Sequence, residues 1–327
     1  MEKVNKKRLL SGIQPNGQMH IGNYFGALKQ FVDMQKQFDD VLIFIADLHA
    51  LTTINDGERL RKYSHDVLLD YLAAGLDPEH VTIYKQSSIS SIPQLAWIFN
   101  CMLTMPYLSR AHAFKDKASQ GIESSVGLFT YPVLMAADIL IMDGEVVPVG
   151  EDQQQHIEIA RDITGKFNNT FGSVFVEPDA YIHTEVATVP GTDGRKMSKS
   201  YNNTIPLFVD KGEIERAVMN IVTDSKPANE KKNPEECSIF TFHKLFSTAE
   251  GLADIRAGYE NGGLGYGESK KILIANIEKY FEPMLERRKY YEEKPDLIND
   301  ILSDGARRAN TIAEKKMDEV RKKLGLL

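Results

Sequence analysis

Cysteine is scarce in this chain of 327 residues, which has only Cys101 and Cys237. The two lie far apart and form no C-x-x-C pair, so the sequence argues against a zinc site, an iron–sulfur cluster and a disulfide framework. No run of about 18 apolar residues is present, and the charged segment 1–10 is not followed by the apolar stretch of a secretion signal. The sequence therefore predicts a cytoplasmic protein without a membrane segment.

An excess of basic residues is also missing, because the formal net charge is −7. Any contact with a nucleic acid would therefore have to come from local basic patches and not from the overall field of the protein. The hydrophobic fraction of 42% and the charged fraction of 26% are ordinary for a globular protein. The length allows two domains with a sizeable core.

The segment 8–26, RLLSGIQPNGQMHIGNYFG, contains neither the G-x-G-x-x-G pattern of dinucleotide sites nor the G-x-x-x-x-G-K-[ST] pattern of P-loops. Its apolar start predicts a buried strand ending near Ile13, and its later part predicts a helix from Met19 with His20 and Asn23 in the first turn. A helix N-terminus after such a loop favours phosphate binding, because its unpaired N–H groups and its dipole attract negative charge. The alternative is an ordinary strand–turn–helix corner with a surface histidine.

Apolar runs that alternate with helical patterns predict the fold. Residues 41–49, VLIFIADLH, are typical of a buried parallel strand that delivers Asp47 and His49 at its carboxyl end. A helical pattern over 58–74 and a further strand over 81–86 follow. We therefore expect an α/β fold with a Rossmann-like parallel sheet.

The segment 92–143 interrupts this alternation and is predicted to be a mostly helical insertion, after which a strand over 146–150 resumes the sheet. Its first helix carries the only tryptophan, Trp97, which we expect on the apolar side of that helix. Exposed apolar stripes on such an insertion often form a dimer contact, and on this ground we predict a homodimer. The alternative is that they join the core of the same chain.

Charged helical patterns dominate after residue 203, with little strand signal. We predict a boundary there, between a Rossmann-type domain over 1–203 and a helical domain over 204–327. Basic clusters interleaved with acids occur in the second domain at Lys231–Lys232, Arg287–Lys289, Arg307–Arg308 and Lys315–Lys316. They can contact RNA phosphates, or they can be solvated helix faces.

A second notable segment, RKMSKSY over 195–201, follows the turn-rich VPGTDG. Lys196 and Lys199 flank Ser198, and Ser200 comes next. Lysine offers a point charge and three donors, so a mobile loop of this composition suits a polyphosphate whose charge grows during a reaction. The alternative is a solvated basic loop.

Together, in this order, the MHIGN and KMSKS stretches resemble the paired signatures of the class I aminoacyl-tRNA synthetases. The stretches TYPVLMAADIL over 130–140, VPVGEDQQQHIE over 147–158 and VTDS over 222–225 resemble the tryptophanyl members of that family. The resemblance implies a Rossmann-type catalytic domain and an anticodon-binding helical domain. It also implies that ATP, with Mg²⁺, activates L-tryptophan, which is then transferred to tRNA(Trp).

Tryptophan presents a large apolar ring with one donor, the indole N–H, so a selective pocket needs apolar walls and one acceptor. On the helix predicted over 131–142, Met135, Asp138 and Ile139 share a face. The resemblance assigns Asp138 to the indole N–H; the alternative is a carboxylate that caps or ion-pairs locally. It also implies two residues at the amino and carboxylate end of tryptophan and four that line the cavity: Tyr131 and Gln153, then Gly12, His49, Val147 and Val149.

The same resemblance implies catalytic roles for His20, Asn23, Lys196, Ser198 and Lys199. The residues that it assigns to ATP are Gln14, Pro15, Asn16, Gly22, Asn23, Gly150, Glu151, Asp152, Val186, Lys196, Met197, Ser198, Lys199 and Ser200. Lys115 and Lys117 are candidates for phosphate contact, one of them favoured over both, and the alternative is a solvated loop. The sequence departs from the family at Leu10, where an aromatic residue is common, and this is expected to loosen one wall of the pocket.

Three other interpretations stay open at this point. The first is specificity for tyrosine within the same class. The second is a nucleotidylyltransferase with a HIGH-type motif, although such enzymes usually lack a helical domain of this size. The third is a synthetase-like protein that binds RNA or a ligand and regulates without catalysis, against which the two intact signature motifs argue.

Overall fold

The fold is that of a computed structural model, which describes residues 5–110, 125–150, 153–182 and 189–327. The described residues contain five strands: β1 Asn5–Ile13, β2 Phe38–Ile45, β3 Val81–Lys85, β4 Val146–Pro148 and β5 Asp179–Tyr181. Every pairing is parallel, and the strands lie in the order β3-β2-β1-β4-β5. The predicted α/β fold with a Rossmann-like parallel sheet is confirmed.

The helices agree with the helical patterns of the sequence. In chain order they are α1 Ile21–Asn23, which continues through a π-helical turn Tyr24–Leu28 into Lys29–Met34, α2 Asp47–Ala50, α3 Gly57–Ala74, α4 Ser91–Met102, α5 Met105–Leu108, α6 Val126–Ile141, α7 Gln154–Phe171, α8 Lys211–Met219, α9 Ser238–Phe246, α10 Ala249–Asn261, α11 Tyr266–Glu292 and α12 Pro295–Leu324. Within the described ranges, none of them combines the length and the apolarity that crossing a bilayer requires.

The chain divides into two compact units, which do not coincide with the predicted domains. The sheet unit comprises Met1–Gly17, Gln30–Thr184 and Lys294–Leu327, and the helical unit comprises Gln18–Lys29 and Glu185–Glu293. The single boundary predicted near residue 203 does not describe these units, because the chain returns to each of them. Composition changes near that residue, but composition carries no information about long-range returns of the chain.

In the sheet unit, α12 covers the edge strand β3. Arg308 of α12 donates from Nη2 to the carbonyl oxygens of Pro78, at 2.9 Å, and Val81, at 3.0 Å. Gly305 lies so close to the strand that a Cβ atom added to it would overlap the carbonyl oxygen of Ile83. Since an open sheet edge is a template for pairing with other chains, this helix protects the sheet.

The carboxyl ends of β1 and β2 are joined by a buried tyrosine of α3. The hydroxyl of Tyr71 donates to the carbonyl oxygen of Phe44 at 2.9 Å and accepts from the N–H of Ile13 at 2.9 Å. A Cβ atom on Gly12 would lie 2.7 Å from the same carbonyl oxygen, so glycine permits the close approach of the two strands there. This is the edge of the sheet where parallel α/β folds bind their ligands.

In the helical unit, the start of α1 pairs with a segment far along the chain. The N–H of Ile21 donates to the carbonyl oxygen of Ile205 at 3.0 Å, and the N–H of Leu207 donates to that of Met19 at 2.9 Å. The next turn of α1 places the ring of Tyr24 edge-on against Phe281 of α11, with the ring centroids 5.2 Å apart. The N-terminus of α1 is therefore held from both sides within this unit.

The predicted position of Trp97 is wrong, because its side chain is 70% exposed. Helix α4 buries the face formed by Ile92, Leu95, Ala96 and Phe99. Trp97 follows Leu95 by two positions and therefore lies about 200° around the helix from it. The helix was predicted correctly, but an apolar residue does not by itself define the buried face.

We expect Gly305→Ala to lower the free energy of unfolding by about 1–3 kcal/mol, because the new methyl group has to displace backbone of β3. Gly165→Ala is the matched control, since Gly165 also lies inside a helix of the sheet unit but has no neighbour within 4 Å of an added Cβ. Helix propensity predicts that the control is neutral or stabilising. Urea unfolding of both variants measures the difference, and equal effects would contradict the close packing of α12 on β3.

Candidate active site

The centre of the candidate pocket is the carboxylate of Asp138 on α6, which is 1% exposed. His49 of α2 contacts it through Nε2, 2.9 Å from Oδ2. Gln86, immediately after β3, donates from Nε2 to both carboxylate oxygens at 2.8 and 2.9 Å. Burial raises the pKa of Asp138 above its usual value, although the hydrogen bonds from His49 and Gln86 oppose part of this shift. The alternative interpretation of Asp138 was a carboxylate that caps or ion-pairs locally. It agrees in part with the structure, because the carboxylate has hydrogen-bond partners within the protein.

Gln86 contacts the centre of this candidate pocket but was not predicted from the sequence. It is fully buried, and its Oε1 accepts the backbone N–H groups of Leu48 at 3.0 Å and His49 at 3.3 Å. One side chain therefore fixes the carboxylate of Asp138 and the start of the helix that carries His49. The signal was present, because Gln86 follows a buried strand in the same way as Asp47 follows β2.

The predicted amino and carboxylate end contains a second missed residue, His156 of α7. Its Nδ1 lies 2.9 Å from Oε1 of Gln153, and its Nε2 lies 2.7 Å from the hydroxyl of Tyr131. With the proton on Nδ1, the ring donates to Gln153 and accepts from Tyr131. The buried His156 therefore positions both predicted side chains, and the ring of Tyr131 stands edge-on to that of His49 at 6.2 Å.

The apolar residues predicted around this pocket all belong to the sheet unit. Val147 is buried, and Met135 and Val149 are partly buried against the same core. Leu10 is fully buried in that core, and its effect on the pocket stays a prediction.

The nucleotide-binding loop predicted after β1 belongs to the sheet unit. It is hydrogen-bonded to α2, the helix that carries His49. Gln14 donates from Nε2 to the carbonyl oxygen of His49 at 3.3 Å, and the N–H of Asn16 donates to that of Gln14 at 2.9 Å. Gly17 has φ +120°, a conformation that favours glycine. The carbonyl oxygen of Gly150, which was also predicted to contact ATP, accepts from the N–H of Gln153 at 2.9 Å.

In the helical unit, His20 caps the N-terminus of α1. Its Nδ1 accepts from the N–H of Asn23 at 3.3 Å, and Oδ1 of Asn23 accepts from the N–H of His20 at 3.2 Å. This reciprocal pair satisfies two backbone donors and confirms that His20 and Asn23 belong to the first turn. Burial, with a smaller contribution from the positive charge of Lys199, lowers the pKa of His20 to about 4. The imidazole is consequently neutral at pH 7 and acts as an acceptor.

The two signature motifs come together within this unit. A Cβ atom on Gly22 would lie 3.0 Å from Nδ1 of His20 and 3.4 Å from Cβ of Met197. Met197 is buried, whereas Lys196 and Lys199 on either side of it are exposed. A side chain at position 22 would therefore have to displace the ring of His20 by a few tenths of an ångström, so glycine favours the close approach of MHIGN and KMSKS.

The lysine loop, residues 189–203, ends in a short 3₁₀ turn, Lys199–Tyr201, which Ser198 caps by accepting from the N–H of Ser200 at 3.3 Å. Arg195 pairs with Asp193 at 2.6 Å and covers the ring of Tyr201 at 4.3 Å. The loop therefore presents its two lysines from an ordered backbone.

Several predicted residues lie outside the described residues, namely Lys115, Lys117, Glu151, Asp152 and Val186. Among the residues that the structure does describe, His, Cys, Asp and Glu form no group of three or more that could hold a metal ion.

We expect the ring of His20 to titrate near pH 4 in a pH series of NMR spectra. Replacing the cation in Lys199→Met should move its pKa part of the way back toward 6.5. His243, whose pKa burial also lowers to about 4, is an internal control that should not respond. Both histidines bind a proton more readily in the unfolded chain than in the folded one. Their contribution to the free energy of unfolding is therefore fully present above pH 6.5 and is lost as the pH falls toward 4. A His20 that titrates near 6.5 would contradict the buried cap.

Comparisons with known proteins agree with this geometry. Residues 2–282 match the family described as tRNA synthetases class I (W and Y). The tryptophan–tRNA ligase of Rhodopirellula baltica is 47% identical over 98% of this chain and 99% of its own length, and that of Fusobacterium nucleatum is 46% identical over 98% of both. A crystal structure of tryptophanyl-tRNA synthetase from Campylobacter jejuni, complexed with ADP and tryptophan, superposes with a TM-score of 0.92 at 45% identity and covers 97% of this chain and 99% of that one. The chain therefore belongs to the class I aminoacyl-tRNA synthetases, in the family of the tryptophan and tyrosine enzymes.

Proposed function

We propose that this enzyme is a tryptophan–tRNA ligase, which forms tryptophanyl-adenylate from L-tryptophan and ATP and then transfers tryptophan to tRNA(Trp). The observation that supports tryptophan is the buried carboxylate of Asp138, held by His49 and Gln86. An ionised carboxylate has about four lone-pair positions and accepts only. The protein supplies donors for three contacts, which leaves one position for a single donor such as the indole N–H.

In the first step, an oxygen of the tryptophan carboxylate attacks the α-phosphorus of ATP. A carboxylate O–P bond forms, the bond to the bridging oxygen breaks, and pyrophosphate leaves with the electron pair. We propose that Lys196 and Lys199 neutralise the charge that develops on pyrophosphate, while Ser198 and Ser200 supply hydroxyl donors. Mg²⁺ would enter with ATP, because it is commonly bound through substrate phosphates, and would neutralise part of the same charge.

In the second step, a ribose hydroxyl of the terminal adenosine of the tRNA attacks the carbonyl carbon of the adenylate. The ester C–O bond forms, the bond between the carbonyl carbon and the phosphate oxygen breaks, AMP leaves with that electron pair, and the hydroxyl proton passes to solvent. Neither step needs a nucleophile from the protein, so catalysis consists of positioning and electrostatics. This agrees with a site whose described groups are a neutral His20, a capped helix and a lysine loop.

At the other end of tryptophan, we propose that Tyr131 and Gln153 bind the amino and carboxylate groups. His156 uses one ring nitrogen for each of these side chains, so it sets their relative orientation. Gly12, Val147 and Val149 would form the walls.

The helices α8–α11 of the helical unit and the basic cluster Arg287–Lys289 on α11 support an anticodon-binding role, which stays a proposal. Lys232 does not contribute to it, because it is buried and donates to the backbone carbonyl oxygens of Pro227 and Glu230. We further propose a homodimer. The supporting observation is an apolar groove of about 320 Å³ in the sheet unit, lined among others by Leu51, Pro93, Trp97 and Leu134. The exposed Trp97 would be covered by a second copy of the chain. A cytoplasmic location also stays a prediction.

Exchange of labelled pyrophosphate into ATP, measured with tryptophan and with tyrosine, tests the proposed activity. Exchange with tyrosine alone would instead support a tyrosyl enzyme, and exchange with neither amino acid would support a regulator or a nucleotidylyltransferase. The family comprises both specificities, whereas the relatives named above are tryptophan enzymes.

We predict that Asp138→Ala lowers kcat/KM for tryptophan about 30-fold, corresponding to about 2 kcal/mol for truncating a buried charged acceptor. The KM for ATP should stay nearly unchanged. Asp70→Ala is a matched control, because Asp70 is also a buried carboxylate of the sheet unit but lies on α3. The control should lower the melting temperature without a comparable loss for tryptophan. Wild-type kcat/KM in Asp138→Ala would show that the pocket is assigned wrongly.

Lys199→Ala should lower kcat for adenylate formation by about 10²- to 10³-fold, since a cation that faces developing charge acts mainly on the transition state. The KM for ATP should change far less. Lys211→Ala removes an exposed lysine of the same unit, paired with Glu278, and serves as the control. Equal losses in kcat and in ATP affinity for Lys199→Ala would mean that the loop only binds ATP.

A further inference from the structure

One amide side chain, that of Asn203, holds the lysine loop together. It is 1% exposed although it lies at the end of a polar loop. Its Oδ1 accepts from the N–H of Ser198 at 2.8 Å, and its Nδ2 donates to the carbonyl oxygen of Lys196 at 3.2 Å and to Oδ1 of Asp193 at 2.7 Å. The amide therefore binds the backbone on both sides of Met197.

Gly191, near the start of the lysine loop, leaves space for this amide. A Cβ atom added to Gly191 would overlap Nδ2 of Asn203, so only glycine leaves room for it. The carbonyl oxygen of Asn203 accepts from the N–H of Thr192 at 2.9 Å, which closes the loop at its base. Asp193 in turn accepts from Arg195, and the hydrogen bond from Asn203 is the largest factor that lowers the pKa of Asp193.

The same residue leads directly into the segment that supports the other signature motif. Ile205 and Leu207 follow Asn203 and pair with Met19–Ile21 at the start of α1. A fixed Asn203 consequently sets the lysine loop in register with the helix that His20 caps. A lysine side chain is long and flexible, so its backbone has to be fixed if the charge is to meet a developing anion.

We propose that Asn203 is a positioning residue for adenylate formation, which aims Lys196 and Lys199 by fixing the backbone at Lys196 and Ser198. The proposal rests on the proposed function. It assigns to Asn203 no contact with substrate, and it requires that the effect of Asn203 on the rate passes through the lysines.

The primary test is tryptophan-dependent pyrophosphate exchange by Asn203→Ala. We expect kcat to fall about 100-fold, as for a displacement of about 1 Å in a catalytic group, and the KM for ATP to change less than about threefold. Gly191→Ala should produce a similar kcat defect, because it pushes the amide out of place. Unchanged kcat in both variants would overturn the proposal.

Asn168→Ala is a matched control in the sheet unit. Asn168 makes an analogous set of hydrogen bonds to a loop, accepting from the N–H groups of Val174 and Phe175 and donating to the carbonyl oxygen of Phe175. The control should lower the melting temperature about as much as Asn203→Ala and leave kcat within about threefold of wild type. Equal kcat defects in the two variants would show a general effect of stability and overturn the proposal.

A double-mutant cycle with Lys199→Ala separates positioning from folding. If Asn203 acts through the lysine loop, Asn203→Ala should lower kcat much less in the Lys199→Ala background than in wild type. Additive losses would overturn the proposal.

Should Asn203→Ala not fold, Asn203→Asp is the second variant, because it keeps an acceptor for the N–H of Ser198 but cannot donate to the carbonyl oxygen of Lys196. We expect kcat to fall while the KM for ATP stays nearly unchanged, and a wild-type kcat in this variant would overturn the proposal. Absence of exchange in the wild-type protein would instead refute the proposed function.

Discussion

A carboxylate that is almost completely buried needs hydrogen-bond donors, and this requirement organises the candidate pocket. Asp138 takes its donors from His49 and Gln86, so α6, α2 and the segment after β3 have to meet at one point. The same contacts orient the carboxylate before any ligand arrives. A cavity with an acceptor already fixed in place rejects amino acids that lack a matching donor, because they would leave the carboxylate incompletely satisfied.

Neutral amides do much of the positioning in both units. Gln86 fixes a carboxylate and a helix start, Asn203 fixes a loop that carries two lysines, and Asn168 fixes the connection after α7. An amide can donate and accept at once without bringing another charge into the site. Uncharged side chains therefore determine where the carboxylate of Asp138 and the lysine loop lie.

Much of the fold was readable from the sequence, because buried parallel strands such as β2 are continuous apolar runs and helices such as α3 have a clear period. The family resemblance identified Asp138 and the signature motifs. Gln86, His156 and Asn203 were missed for a common reason. Their importance depends on partners that the fold brings together, such as Asp138 for Gln86. The position of Gln86 directly after a buried strand was a local signal, but it does not reveal the partner.

The position of Trp97 and the two compact units could not be read for a related reason. Which side of α4 is buried depends on what packs against it, and the return of α12 to β3 depends on contacts across the chain. Local patterns determine elements, whereas pairings between distant elements are a property of the whole fold.

The coverage of β3 by α12 has a consequence for the order of events during synthesis. About 210 residues separate the end of β3 from the start of α12. At the usual elongation rate of about 5–20 residues per second, the edge of the sheet waits about 10 to 40 s on the ribosome for the helix that covers it. During that interval the nascent sheet exposes the unpaired edge of β3. A chaperone or a neighbouring nascent chain would therefore bind the unfinished protein first at this edge.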